Sequence, residues 1–313
     1  MIFRIITNRF LWLYPVLAFA PFGAIDFVLR NARASDNTSN QLYVAQLPSS
    51  SIPLLLDQAA QKAIIQDYTS SVSLLTQALN LSPSRELTSQ ILLNRAKIYM
   101  MLAQPSLALV DLNNIIYTPS QISELASLWL LRGSAYILIK DYPSAISALS
   151  TAQKLDSSNP MILSNRAVAY RAIGKLDLAK QDIQMAIRIQ PNQINYYTLS
   201  VLLYQSKDYR SCYSLISDLL KKSSPYPALY YQRGLCSFSL GNIDLAVADM
   251  LKVLAIDQDH ADALEQLGML TARQSKADAA TQYLSRSSSI RLSRGDIDGY
   301  NRVLALMRKI VRN

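Results

Sequence analysis

Small and apolar positions in this chain return on a beat of 34 residues. Tyr136, Tyr170 and Tyr204 are spaced by that interval, as are Gly133 and Ala167, and later Gly234 and Gly268. Within the beat the apolar positions keep helical spacing. Ala145, Leu149 and Ala152 are answered one beat later by Ala179, Ile183 and Ala186, and residues three or four apart share one face of a helix. The Gly or Ala of the first half predicts a partner helix pressed close at that point, with a Tyr ring filling the seam one turn on. The chain is therefore expected to fold as antiparallel helix pairs, each burying its faces against its neighbours.

The strings around these positions are Trp129-x-x-Arg132-Gly133-x-x-Tyr136, Leu163-x-x-Arg166-Ala167-x-x-Tyr170, Tyr230-x-x-Arg233-Gly234 and Leu264-x-x-Leu267-Gly268. At this period they resemble the tetratricopeptide (TPR) repeat. The resemblance implies an all-α, right-handed α-solenoid of about six to seven TPR helix pairs with a C-terminal capping helix. Reading outward gives repeats at 52–88, 89–125, 126–159, 160–193, 194–226, 227–260 and 261–288, so the array spans 52–288. The first two run to 37 residues, judged by Ala59, Ala96 and Gly133. The fifth is one residue short, the first has Ala59 and Lys62 at the signature positions, and the seventh has Thr271 in place of Tyr. Asp141 and Asp177 are expected to cap second helices, because a carboxylate can accept from their free N–H groups.

The two ends carry different patterns. Arg4 and Arg9 precede the apolar run 10–20, and Ala32-Arg33-Ala34 supplies small residues before a polar stretch. Residues 1–34 thus read as a signal peptide with cleavage near Ala34. A membrane anchor at residues 10–29 is the competing reading, although Pro15, Pro21 and Asp26 interrupt it. Either way the folded part reaches a membrane surface or a space beyond it: periplasmic, lumenal or secreted. Residues 35–51 read as a flexible linker. In 289–313, Ile297, Tyr300, Val303, Leu304, Met307 and Ile310 form one stripe of a basic amphipathic helix. It is expected to cap the array, and contact with anionic lipid is the alternative. The segment GDIDGYNRVLALMRKI is also similar to the closing part of secreted TPR proteins of cyanobacteria.

The formal charge of +9 lies mostly at the ends: +3 in 1–34, +5 in 286–313 and +1 between. A nearly neutral body argues against nucleic acid, whose phosphates need clustered Lys and Arg on one face. One His, no nucleotide-binding or hydrolase motif and no paired ligand spacing argue against an enzyme, a metal site and any cofactor. Cys212 and Cys236 read as small core residues, with an inter-repeat disulfide as the alternative in an oxidising compartment.

A protein or peptide segment held in the concave groove is then the expected partner, as the family resemblance implies. Candidate contacts are Asn94, Lys97, Asn165, Val168, Arg171, Leu202, Tyr231, Gln232, Leu235 and Phe238, on first helices. Asn94-Arg95 and Asn165-Arg166 recur in equivalent places. The positions flanking Asn94 and Asn165 lack the Lys and Arg with which some relatives clamp a terminal carboxylate. A neutral or amphipathic segment suits the groove better.

Overall fold

A computed structural model describes residues 51–116, 122–222 and 226–311. All regular structure in these residues is α-helical, and the helices divide into two compact units that meet in sequence between Lys175 and Leu176. The expectations for 1–34 and 35–50 lie outside the described residues; of the stretch 35–51 only Ser51 is described, where it precedes the first helix. No helix among the described residues is long and apolar enough to cross a membrane.

The first unit holds α1 (Ile52–Ile64), α2 (Tyr68–Asn80), α3 (Arg85–Met101), α4 (Pro105–Asn113), α5 (Ile122–Leu138), α6 (Tyr142–Leu155) and α7 (Pro160–Ala172). The second holds α8 (Leu176–Ile189), α9 (Gln193–Gln205), α10 (Tyr209–Lys222), α11 (Pro227–Ser239), α12 (Ile243–Ile256), α13 (Ala261–Arg273), α14 (Ala277–Ser293) and α15 (Ile297–Val311). Consecutive helices pack as hairpins: α1 on α2, α3 on α4 and α5 on α6 in the first unit, then α9 on α10, α11 on α12 and α13 on α14 in the second.

The hairpin turns share one device. A residue in the left-handed region ends each first helix, at Gln66, Ala103, Lys140, Gly174, Lys207, Gly241 and Ser275. An acidic cap often follows. Asp67, Asp141 and Asp208 accept from the backbone N–H of Ser70, Ser144 and Ser211, at 3.1–3.2 Å. These side-chain and backbone hydrogen bonds hold the Asp67 and Asp208 carboxyls below their usual pKa. Asp177 departs from its expected place. It lies within the first turn of α8, two residues past the cap position, and pairs with Lys180 at 2.8 Å.

The seams explain the small residues. A Cβ on Gly133 of α5 would fall on the Leu149 side chain of α6; on Gly234 of α11 it would lie 2.6 Å from Met250 Cε of α12. Leu149 is fully buried with Ala145, Ala152 and Ile162 in the α5–α7 core. Each such leucine contributes about 2 kcal/mol, more than helix propensity gives any one residue. The tyrosine expected beside the seam, Tyr136, packs on this core and on that of α3–α5.

Three boundaries differ from the even count. The divisions at 88/89 and 125/126 fall inside α3 and α5, first helices of 17 residues each. Ser84 starts α3 early by accepting from Leu87 N–H, a cap that a count of periods passes over. At the other end α14 continues through Ser293, past the expected edge at 288.

Candidate protein-binding face

Several first helices lie beside one another within each unit. In the first unit α3 touches α5 and α5 touches α7; in the second α9 touches α11 and α13 touches α15. This brings side chains from successive repeats onto one face, which is what a segment of another protein needs if it is to be held along the array.

On the first unit's face Asn94 and Lys97 of α3 are half-buried, as is Arg171 at the end of α7. Asn165 is not at the surface. It is fully buried and donates through Nδ2 to Ser134 Oγ at 2.9 Å, while Ser134 donates on to the Leu130 carbonyl. Its Oδ1 has no hydrogen-bond partner. A polar side chain on a first-helix face looked solvent-directed in sequence; the adjoining first helix covers it instead. Val168 is also buried, in the α5–α7 core.

On the second unit's face Tyr231, Leu235 and Phe238 come together against the core that Met250, Val253, Leu267 and Leu270 form between α12 and α13. Their rings and methyls are partly exposed. The Tyr231 ring lies 5.4 Å from that of His260, and burial, helped by Asp262 and Glu265, raises its phenol pKa well above the ordinary value. Arg273 sits 4.7 Å from the centroid of Phe238, at cation–π distance. Gln232 is buried and donates weakly to Cys212 Sγ at 3.9 Å. Leu202 is fully buried in α9. The aromatic members thus share a patch, whereas Gln232 and Leu202 are buried.

Charged groups that sequence reasoning passed over fix this scaffold. Arg233 of α11 makes two parallel bonds to Asp249 of α12, 2.8 and 2.6 Å, and Arg95 of α3 does the same to Asp111 of α4 at 2.8 and 2.6 Å. The signal was present: in both repeats an Asp follows the signature Arg by 16 residues. Around α13, Glu265 receives Arg291 of α14 at 2.6 Å and Arg302 of α15 at 2.9 Å. Arg291 also binds Asp262 and, at 2.7 Å, Asp296, which caps α15 through Gly299 N–H. Val303 of α15 is fully buried. Of the basic residues from 286 onward, Arg286, Arg291 and Arg302 are therefore engaged within the fold, and Arg294, Arg308 and Lys309 stay exposed.

The cysteines depart from their first reading. Cys212 of α10 and Cys236 of α11 are joined as a disulfide with Cα atoms 6.2 Å apart, both fully buried. They are core residues in place, but cross-linked. The inter-repeat disulfide, the alternative reading, is the one found: the two positions sit on helices of adjacent repeats that meet only once those repeats stack. Among the described residues no group of three or more His, Cys, Asp or Glu side chains could hold a metal ion.

A sequence profile of the tetratricopeptide repeat matches residues 126–159, 162–193 and 227–260. A tetratricopeptide repeat protein from Parabacteroides merdae superposes with a TM-score of 0.66 over 85% of this chain and 100% of its own, at 18% identity, a likeness of fold. Tetratricopeptide repeat protein 13 of Homo sapiens is 26% identical over 130 residues, 42% of this chain and 15% of that protein. The DnaJ homolog subfamily C member 7 homolog of Dictyostelium discoideum is 23% identical over 216 residues, 63% of this chain and 39% of that protein. The chain spans well under half the length of these curated relatives. The chain thus carries tetratricopeptide repeats at residues 126–159, 162–193 and 227–260. Proteins of this family are, as a class, scaffolds that bind other proteins or peptides and are typically not enzymes.

Proposed function

We propose that this chain is a non-enzymatic scaffold or assembly factor that holds a segment of another protein along its first-helix face, outside the cytoplasm. The observation that carries the binding reading is that α3, α5 and α7 pack in succession in one unit, with Asn94, Lys97 and Arg171 half-buried on α3 and α7, while Tyr231, Leu235 and Phe238 of α11 are partly exposed together in the other. Partly exposed aromatic and Arg side chains are common carriers of binding energy, because they bury much area for little entropy. The mixture of apolar and amide groups suits a neutral or amphipathic segment, without the nucleic-acid contacts that a basic groove would make.

Export is supported by the buried Cys212–Cys236 bond, since disulfides persist in oxidising compartments and are rare in reducing ones. The leader-like composition of residues 1–34 agrees with it. Fractionation with N-terminal sequencing tests this part: a mature chain starting at Ser35 supports cleavage, a full-length membrane-bound chain selects the anchor, and a soluble chain starting at Met1 defeats export.

Site-specific photo-crosslinking tests the binding part. Probes at Lys97, Arg171 and Phe238 are expected to capture one protein segment, whereas a probe at the exposed Lys154 of α6 is not. Equal capture from Lys154 would remove the first-helix face from consideration.

A further inference from the structure

We infer that the Cys212–Cys236 disulfide is a redox-operated staple for the α10–α11 junction between two repeats. This goes beyond partner binding and can be read without any partner.

The seam's fully buried cluster is made of Ile216, Leu229 and the two cysteines, with Tyr197, Leu203, Tyr204, Tyr213, Leu219 and Leu220 partly buried around them, so half of its buried members are the disulfide itself. It is also polar where it should be dry. Ser217 Oγ on α10 and Ser237 Oγ, beside Cys236 on α11, are buried without a hydrogen-bond partner. Buried Gln232 has a weak bond to Cys212 Sγ. Buried polar atoms left unsatisfied oppose closure of the seam. In an array whose stability is a sum of neighbouring junctions, such a junction is the natural place to part. The covalent bond spans this junction, linking the second helix of one repeat to the first helix of the next.

Opening is a two-electron, two-proton exchange with a dithiol. One thiolate of the dithiol attacks Cys212 or Cys236 Sγ, and the S–S bond breaks with its electron pair on the other sulfur. The second thiol of the reductant then closes its own disulfide, leaving both cysteines as thiols. Both sulfurs are fully buried, so the dithiol reaches them only when the seam breathes. Closed, the staple keeps α10 and α11 in register; open, the junction relies on its non-covalent contacts alone, with the unsatisfied serine hydroxyls opposing them.

Hydrogen–deuterium exchange on the full chain tests this in oxidised wild type, dithiothreitol-reduced wild type and the Cys212→Ala/Cys236→Ala variant. Thiol labelling after denaturation should find no free thiol in the oxidised protein and two after reduction. Exchange in α10 and α11 should rise on the order of tenfold or more on reduction, fall again on reoxidation, and be high in the double variant whatever the redox state. The α1–α6 peptides should not change. Two free thiols in protein made in an oxidising compartment would overturn the proposal. So would unchanged exchange at α10 and α11, or an equal rise at α1–α6. If the double variant does not fold, the reversible wild-type change decides alone.

Discussion

Arg233 and Asp249 tie the first helix of a repeat to its second through a two-bond fork, and only 3% of the Asp249 side chain is exposed. The guanidinium is held more firmly charged than usual by its hydrogen bonds to Asp249, against the opposing effect of burial. Asp249→Ala would leave the Arg233 charge largely buried without its counter-ion, and the cost should be about 3 kcal/mol in urea denaturation. Arg233→Met combined with Asp249→Leu should recover much of that loss, because two apolar groups leave no charge stranded. A single variant as stable as wild type would mean that the fork does not form.

Gly133→Ala sets two effects against each other. Alanine favours a helix interior by about 1 kcal/mol over glycine, but its methyl would fall on the side chain of the fully buried Leu149. Overpacking of this kind costs about 1–3 kcal/mol, so a net loss of stability is expected. Thermal melting measures it, and adding Leu149→Val should relieve part of the clash. A Gly133→Ala protein that melts higher than wild type would place the seam elsewhere.

The repeat beat, the helix pairs, the small residues at the seam and the capping Asp141 were legible in the sequence, because each is a local pattern or a fixed period. The hidden features all depend on two elements meeting. Asn165 carries no mark that Ser134 will cover it. Arg233 and Asp249 become a pair only when their hairpin closes, and Cys212 finds Cys236 only when repeats stack. The candidate binding residues were legible as to helix and less so as to depth: a strip of first-helix positions contains side chains that line the surface and others that support it.

His260 is the chain's single histidine, so a pH response can be assigned to it. Its Nδ1 accepts from Ala263 N–H at 3.2 Å at the start of α13, which requires that nitrogen to be unprotonated. Burial pushes its pKa down, opposed by Asp262 and Asp257. The unfolded chain therefore binds the proton more readily than the folded one. This contribution is fully present above the usual histidine pKa near 6.5 and is lost as pH falls from there toward the lower folded value. Urea midpoints should drop between pH 7.5 and 5.5 in wild type and less so in His260→Asn, which keeps a capping acceptor without the titration. Identical slopes in the two proteins would remove His260 as the cause.

The closing helix can be judged by removing it. Deleting 294–313 strips Glu265 of Arg302, Arg291 of Asp296 and the core of Val303. A lower melting temperature or aggregation is expected, while Arg302→Ala alone should cost about 1 kcal/mol, given that this side chain is half-exposed. Vesicles containing anionic lipid provide the contrast. If the truncated chain keeps its melting temperature and loses vesicle binding, α15 is a lipid contact and not a cap.

The left-handed turn residues make the array easy to instrument. At Gln66, Ala103, Lys140, Lys207 and Ser275 a non-glycine side chain already occupies a conformation that costs about 1–2 kcal/mol, while glycine there would give back roughly 0.5–1 kcal/mol in chain entropy. The two nearly cancel, so these sites tolerate exchange. All five are exposed. A fluorophore, an affinity handle or a short inserted loop placed at any of them would sit on the surface, giving each of these five hairpins its own port for labelling or fusion.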